Sequence, residues 1–263
     1  VVGGIFWIYS RDLPSHEALA SYAPKTISRI YSGEGRLIDE FAEERRIFVP
    51  IETIPPEIIH AFLAAEDRNF YDHGGLDFRG IIRARFANIG HIMRDENLEG
   101  ASTITQQVAK NFLLSSEQRL SRKVQEMVLA RRIERAFTKD QILELYLNEI
   151  FFGAGSYGIA GAALTYFGKA VNELDLHEAA YLAALPKAPS NYHPFDDTEA
   201  ALARRNWIID RMVENGYVTT EAGEIAKRYN LVLKKFNREV DARERTAKEL
   251  REARDAAVPG ERR

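Results

Sequence analysis

Two glutamates stand out because each occupies a place where helical periodicity asks for an apolar side chain. In the stretch that begins at Pro56, Ile59, Phe62, Leu63 and Phe70 recur at core-facing spacing, and Glu66 fills the slot between Leu63 and Phe70. A carboxyl group taken out of water holds its proton more tightly, which brings it toward the range of a general base or acid at neutral pH. Its neighbour Asp67 points about 100° away around the helix. Further along, Leu129, Ala130, Ile133 and Phe137 mark one side of another helix, and Glu126 shares that side. Arg122 and Lys123 are spaced to flank Glu126 from the preceding turn. Either glutamate alone reads more readily as a buried ion-pair member than as a catalyst; two of them on separate helices make a paired-carboxylate site an equal reading.

A second dense signal is Gly100-Ala101-Ser102-Thr103-Ile104-Thr105-Gln106-Gln107. Thr103 and Gln106 fit a capping box, so a helix starts here. Gln107, Lys110 and Asn111 then share one face, and Lys110 adds a positive charge. Free N–H groups and the helix dipole attract phosphate at such a start. With Arg122 and Lys123 close by, the cluster suits a diphosphate. No GxxxxGK[ST] occurs, which excludes a nucleotide P-loop. His73, a lone histidine at a helix end, reads either as a structural cap or as a site residue. Glu66, Asp67, His73 and Asp77 lack HExxH or comparable spacing, so no protein metal site is read. No cofactor is obligatory; magnesium or manganese, held mostly by substrate oxygens, is an optional aid to a diphosphate.

The elements that must carry these residues are mostly helical. Residues 26 to 51 read as strand-rich around the turn-like Ser32-Gly33-Glu34-Gly35. Helices are expected from Pro56 to before His73, for about ten residues after Gly100, from about Glu117 to Phe137, and from a Thr138/Gln141 capping box to Ile150. Glycine-rich residues 153 to 161 lead into small-residue helices that end at Leu185-Pro186-Lys187-Ala188-Pro189, and residues 197 to 215 form a helix closed by Gly216. The stretch from Phe78 to Met93 mixes many apolar side chains with Arg79, Arg83 and Arg85, as an interfacial helix does. Residues 1 to 10 read as the remnant of a transmembrane helix with Trp7 and Tyr9 at its exit. Residues 237 to 263 read as a charged helical linker toward a further domain.

A net charge of -3 over 263 residues argues against nucleic acid as a partner of the whole chain. The absence of cysteine removes disulfides, thiolate metal sites and cysteine nucleophiles.

Five ordered blocks carry a family resemblance: Glu66 to Gly75 (EDRNFYDHGG), Gly100 to Asn111 (GASTITQQVAKN), Arg122 to Glu126 (RKVQE), Ile142 to Asn148 (ILELYLN) and Ala184 to Pro189 (ALPKAP). Together they resemble the glycosyltransferase family 51 domain of class A penicillin-binding proteins and monofunctional peptidoglycan glycosyltransferases, over residues 22 to 230. The resemblance implies a mainly α-helical, lysozyme-like lobe with a smaller membrane-associated jaw and a short N-terminal β-hairpin. It implies catalysis by Glu66, as base toward the acceptor sugar's 4-hydroxyl, and by Glu126, as the second carboxylate. It implies substrate binding by Asp67, His73, Thr103, Gln107, Lys110, Asn111, Arg122 and Lys123. The partners implied are lipid II, the growing lipid-linked glycan, membrane lipid and a C-terminal transpeptidase domain. The place implied is the outer face of the bacterial cytoplasmic membrane. The transpeptidase motifs SxxK, SxN and KTG do not occur in this sequence. The competing readings are a lysozyme-like glycan-cleaving enzyme with Glu66 as acid, and a non-catalytic membrane scaffold. The first has no use for a diphosphate grip, and the second none for two misplaced carboxylates.

Overall fold

The structure is a computed structural model that describes residues 28–31, 37–41, 47–78, 80, 102–113, 120–188, 192 and 198–229. The expected transmembrane remnant, most of the arginine-rich jaw stretch and the charged tail lie outside the described residues. Among the described residues, no helix is long and apolar enough to cross a membrane.

Two strands, β1 (Ser28–Tyr31) and β2 (Leu37–Phe41), pair antiparallel from Ser28↔Phe41 to Tyr31↔Leu37. This is the expected hairpin. The third apolar run, Ile47 to Val49, forms no strand. Its backbone is instead taken by a helix, α4 (Lys139–Glu149). Val49 donates its N–H to Asn148 Oδ1 at 2.8 Å, and Asn148 Nδ2 donates to Val49 O at 2.9 Å. Ile51 N–H reaches Glu144 Oε2 at 2.8 Å. Two polar residues of the ILELYLN block thus clamp the chain just before the helix that carries Glu66.

That helix, α1 (Pro56–Glu66), starts with proline in its first turn, where the missing N–H costs nothing. It buries Ile58, Ala61, Phe62, Leu63 and Ala64. It ends at Glu66, earlier than periodicity suggested, with Asp67 outside helical geometry at φ -159° and ψ 74°. Phe70 therefore belongs to a separate 3-10 turn, Phe70–Asp72. Ile59, expected in the core stripe, is only partly buried.

The second helix, α2 (Ile104–Leu113), packs against α3 (Leu120–Ala136) and α4. Both expected capping boxes form: Gln106 N–H to Thr103 Oγ1 at 3.2 Å with Thr103 N–H to Gln106 Oε1 at 2.9 Å, and the matching pair at Thr138 and Gln141. A small hairpin unread in the sequence follows, β3 (Phe151–Gly153) with β4 (Ser156–Tyr157). Then come α5 (Ile159–Phe167), α6 (Leu176–Ala184), α7 (Thr198–Glu214) and α8 (Thr220–Arg228). The fold is mainly α.

α1 lies against α6 and α7, whose Ala179, Tyr181, Leu182, Ile208 and Ile209 are buried in one core with Phe62. Phe62 also meets Tyr146 of α4 and Phe152 of β3 edge-on. Arg205, buried on α7, donates to Lys227 O and Tyr229 O at the end of α8, so its charge serves as a helix-end clamp.

Candidate active site

Glu66 is the last residue of α1, and its Oε2 accepts a 2.8 Å hydrogen bond from Gln107 Nε2 on α2. Its other oxygen, Oε1, is buried and accepts no hydrogen bond among the described residues. Burial pushes the carboxyl pKa upward and Asp67 adds to this, while the Gln107 hydrogen bond and the charges of Arg204 and Lys187 oppose it. The net result is upward, toward the range of a working base.

Asp67 faces the other way. It is buried, and its carboxylate takes the N–H of Ile104 at 3.1 Å, at the positive start of α2. His73 Nε2 lies 2.9 and 3.0 Å from the two Asp67 oxygens, and His73 Nδ1 accepts Gly75 N–H at 3.1 Å. That acceptor role puts the ring proton on Nε2, which donates to Asp67. Thr103 Oγ1 donates to Gly75 O at 2.7 Å. The bend needs glycine: Gly75 has φ +91°, and a Cβ there would lie 2.9 Å from Ala130 O. The polar atoms of Asp67, His73 and Thr103 meet one another and the backbone, and so tie the end of α1 to the start of α2.

Glu126 is buried on α3 between two cations, Arg122 Nε at 3.3 Å and Lys123 Nζ at 2.8 Å. The flanking expected from spacing is therefore present. Lys123 Nζ also reaches Ser102 Oγ at 2.9 Å, just ahead of α2. Lys110 and Asn111 are exposed on the turn of α2 that follows Gln107. Glu66 and Gln107 thus form one group and Glu126, Arg122 and Lys123 another, and α2 joins them. α2 is itself braced: Thr105 Oγ1 donates to Glu134 Oε1 at 2.6 Å, and Lys139 Nζ reaches the same oxygen at 2.8 Å while lying 4.2 Å over the Phe70 ring.

A family model described as Transglycosylase matches residues 34–213. The chain belongs to the transglycosylase family. It is similar to penicillin-binding protein 1A of Rickettsia felis, 52% identical over 235 residues, covering 89% of this chain and 30% of the relative. It is also similar to penicillin-binding protein 1A of Aquifex aeolicus, 48% identical over 230 residues, covering 87% of this chain and 31% of the relative. A crystal structure of penicillin-binding protein 1A from Haemophilus influenzae is 31% identical, with a TM-score of 0.46, covering 82% of this chain and 22% of that one. The chain spans about 30% of the length of the curated relatives it matches.

The candidate site includes two cations that local sequence pattern does not single out. Lys187, in the 3-10 turn Leu185–Lys187, and Arg204, on α7, both bear electrostatically on Glu66. Lys187 lies inside the ALPKAP block, which was a usable signal; Arg204 sits in an ordinary amphipathic helix. Among the described residues, the carboxylates of Glu126 and of the Asp175–Glu178 group face cations of the chain itself. Both Glu126 oxygens face cations. Asp175, His177 and Glu178 form a compact group, but Lys169 Nζ is paired with Asp175 at 3.0 Å and with Glu178 at 2.8 Å.

Proposed function

We propose that this domain polymerises lipid II into β-1,4 glycan strands, with Glu66 as base and Gln107, Lys110, Asn111, Arg122 and Lys123 gripping the donor's diphosphate and sugars. The observation that carries the reading is Glu66 itself: a carboxylate with raised proton affinity, held by one oxygen against a helix whose exposed face continues into Lys110 and Asn111. Glu66 takes the proton of the acceptor's 4-hydroxyl. The freed oxygen forms a bond to the donor's anomeric carbon from the face opposite the leaving group. The bond from that carbon to the diphosphate oxygen breaks, the configuration inverts, and undecaprenyl diphosphate leaves with the electron pair. Developing negative charge on the diphosphate is met by preorganised cations, which is where electrostatic catalysis gains most.

Glu126 acts in this scheme through Arg122 and Lys123, holding both cations in place for the diphosphate. Asp67, His73 and Thr103 act by positioning. A divalent cation, where one assists, is held by diphosphate oxygens. The location proposed is the outer face of the bacterial cytoplasmic membrane, in a protein that also carries a C-terminal transpeptidase domain; the greater length of the relatives supports this. Incubating the protein separately with lipid II and with purified glycan strands tests the reading. Polymer from the first and no soluble fragments from the second are expected, and fragment release without polymer would replace it with a glycan-cleaving activity.

A further inference from the structure

We propose that Tyr146 is a positioning residue for Glu66, its hydroxyl supplying, through one water, the second donor that holds Oε1 of the base. The inference rests on Glu66 being that base.

Tyr146 stands on α4 and is 1% exposed. Its hydroxyl is buried and has no hydrogen-bond partner among the described residues, and the same holds for Glu66 Oε1. Buried polar atoms are rarely left unmatched, so one orphan donor and one orphan acceptor in the same region call for each other. The ring of Tyr146 meets Phe62 edge-on, with centroids 6.2 Å apart at 77°. Phe62 is one helical turn before Glu66 on α1, so the phenol and the carboxylate lie along the same side of that helix.

Of the carboxylate oxygens that bear on the hydroxyl, one accepts no hydrogen bond among the described residues. Burial raises the phenol's pKa, and the negative charges of Glu66 and Asp67 raise it further, so the group facing them stays protonated and can donate. The Asp67 oxygens are already engaged by His73 and by Ile104 N–H. Glu66 Oε2 is engaged by Gln107. Oε1 remains. The charged groups bearing on Glu66 are then Asp67 beside it, Lys187 in the turn after α6, and Arg204 on α7, with Gln107 and Tyr146 as the neutral donors. A donor to the ionised carboxylate favours that form, so Tyr146 counters part of the burial effect and fixes which oxygen is turned to the acceptor hydroxyl.

The test is the pH profile of kcat for lipid II polymerisation by Tyr146→Phe, with Glu66→Gln and Phe62→Leu in parallel. Tyr146→Phe keeps the ring and removes only the donor. Its acid limb should move up by about half to one pH unit, with kcat down about three- to tenfold near neutrality and KM for lipid II unchanged. Phe62→Leu should lower Tm and leave the acid limb in place. An acid limb that superimposes on the parent's, or one moved equally by Phe62→Leu, overturns the assignment of Tyr146. If Tyr146→Phe does not fold, a ring-fluorinated tyrosine at the same position decides. As a stronger donor it should move the acid limb down, and an unmoved limb overturns the inference. Glu66→Gln separates the two levels: if it polymerises at the parental rate, the base assignment has failed and this inference with it. If it is inactive while the Tyr146→Phe limb is unmoved, only the role of Tyr146 has failed.

Discussion

Gln107 Nε2 donates to Glu66 Oε2 across 2.8 Å, tying the second turn-face of α2 to the last residue of α1. The bond spans 41 positions of sequence and joins the EDRNFYDHGG block to the GASTITQQVAKN block. It does two things at once: it lowers the pKa that burial has raised, and it orients the carboxylate.

Removing that donor is therefore expected to show in both properties. Gln107→Ala should move the acid limb of the polymerisation rate to higher pH and cut the rate by about ten- to a hundredfold, the scale of a misplaced reacting group. A parental pH profile would show that Gln107 does not set the state of Glu66.

The contrast between His73 and Lys110 separates positioning from grip. His73 is enclosed with Asp67 and Gly75, so His73→Ala should cost about 2–3 kcal/mol, a fall of about 5–10 °C in Tm. Lys110 is exposed, so Lys110→Ala should leave Tm unchanged and lower the rate at limiting lipid II. Thermal melts and initial rates on both variants check this. The reverse pattern would return His73 to the substrate surface.

Arg122, Lys123 and Glu126 should behave as one unit. Arg122→Ala and Glu126→Gln are each expected to slow polymerisation, and the double variant should be no slower than the slower single one, because each change disables the same cation cluster. Rates of the four proteins in a double-mutant cycle measure this. Multiplicative losses would give Glu126 a role independent of the cations.

Glu149 offers a test of a partly buried charge on α4. Burial raises its pKa from 4.5 to about 7. The folded state then binds more protons than the unfolded state between those values, so this contribution to stability is full below pH 4.5 and is lost as pH rises through about 7. Glu66, also raised, contributes a loss of the same sign. Glu149→Gln should flatten the decline of Tm between about pH 5 and pH 8 and raise Tm at the upper end. An unchanged slope would mean that Glu149 is solvated in the folded protein.

Much of this was legible in the sequence because it is local. Both capping boxes and the Arg122–Lys123–Glu126 cluster follow from spacings of three and four residues on one helix. Glu66 stands out in the sequence as a carboxylate on an apolar stripe, yet that stripe is interrupted in the structure, since Phe70 lies beyond the end of α1. Nothing local marks that end: it is set by Asp67 and His73 capturing the start of α2. The same limit hid Lys187, Arg204 and Tyr146, which approach Glu66 from elements far along the chain. Ile47 to Val49 reads as a strand because the segment is apolar, but the backbone of Val49 pairs with the Asn148 side chain of α4. The β3–β4 hairpin has strands too short to produce a period; its cue lay only in Gly153, Gly155 and Gly158, all at positive φ.

The central claim is tested most directly by Glu66→Gln assayed for lipid II polymerisation and melted in parallel. The variant keeps the Gln107 contact within reach while removing the base. The rate should fall by about a thousandfold, the usual contribution of a positioned general base. Tm near pH 7.5 should match or exceed the parent's, because a buried charge is gone. A folded Glu66→Gln protein that still polymerises at more than about a tenth of the parental rate would contradict the assignment of Glu66 as the base.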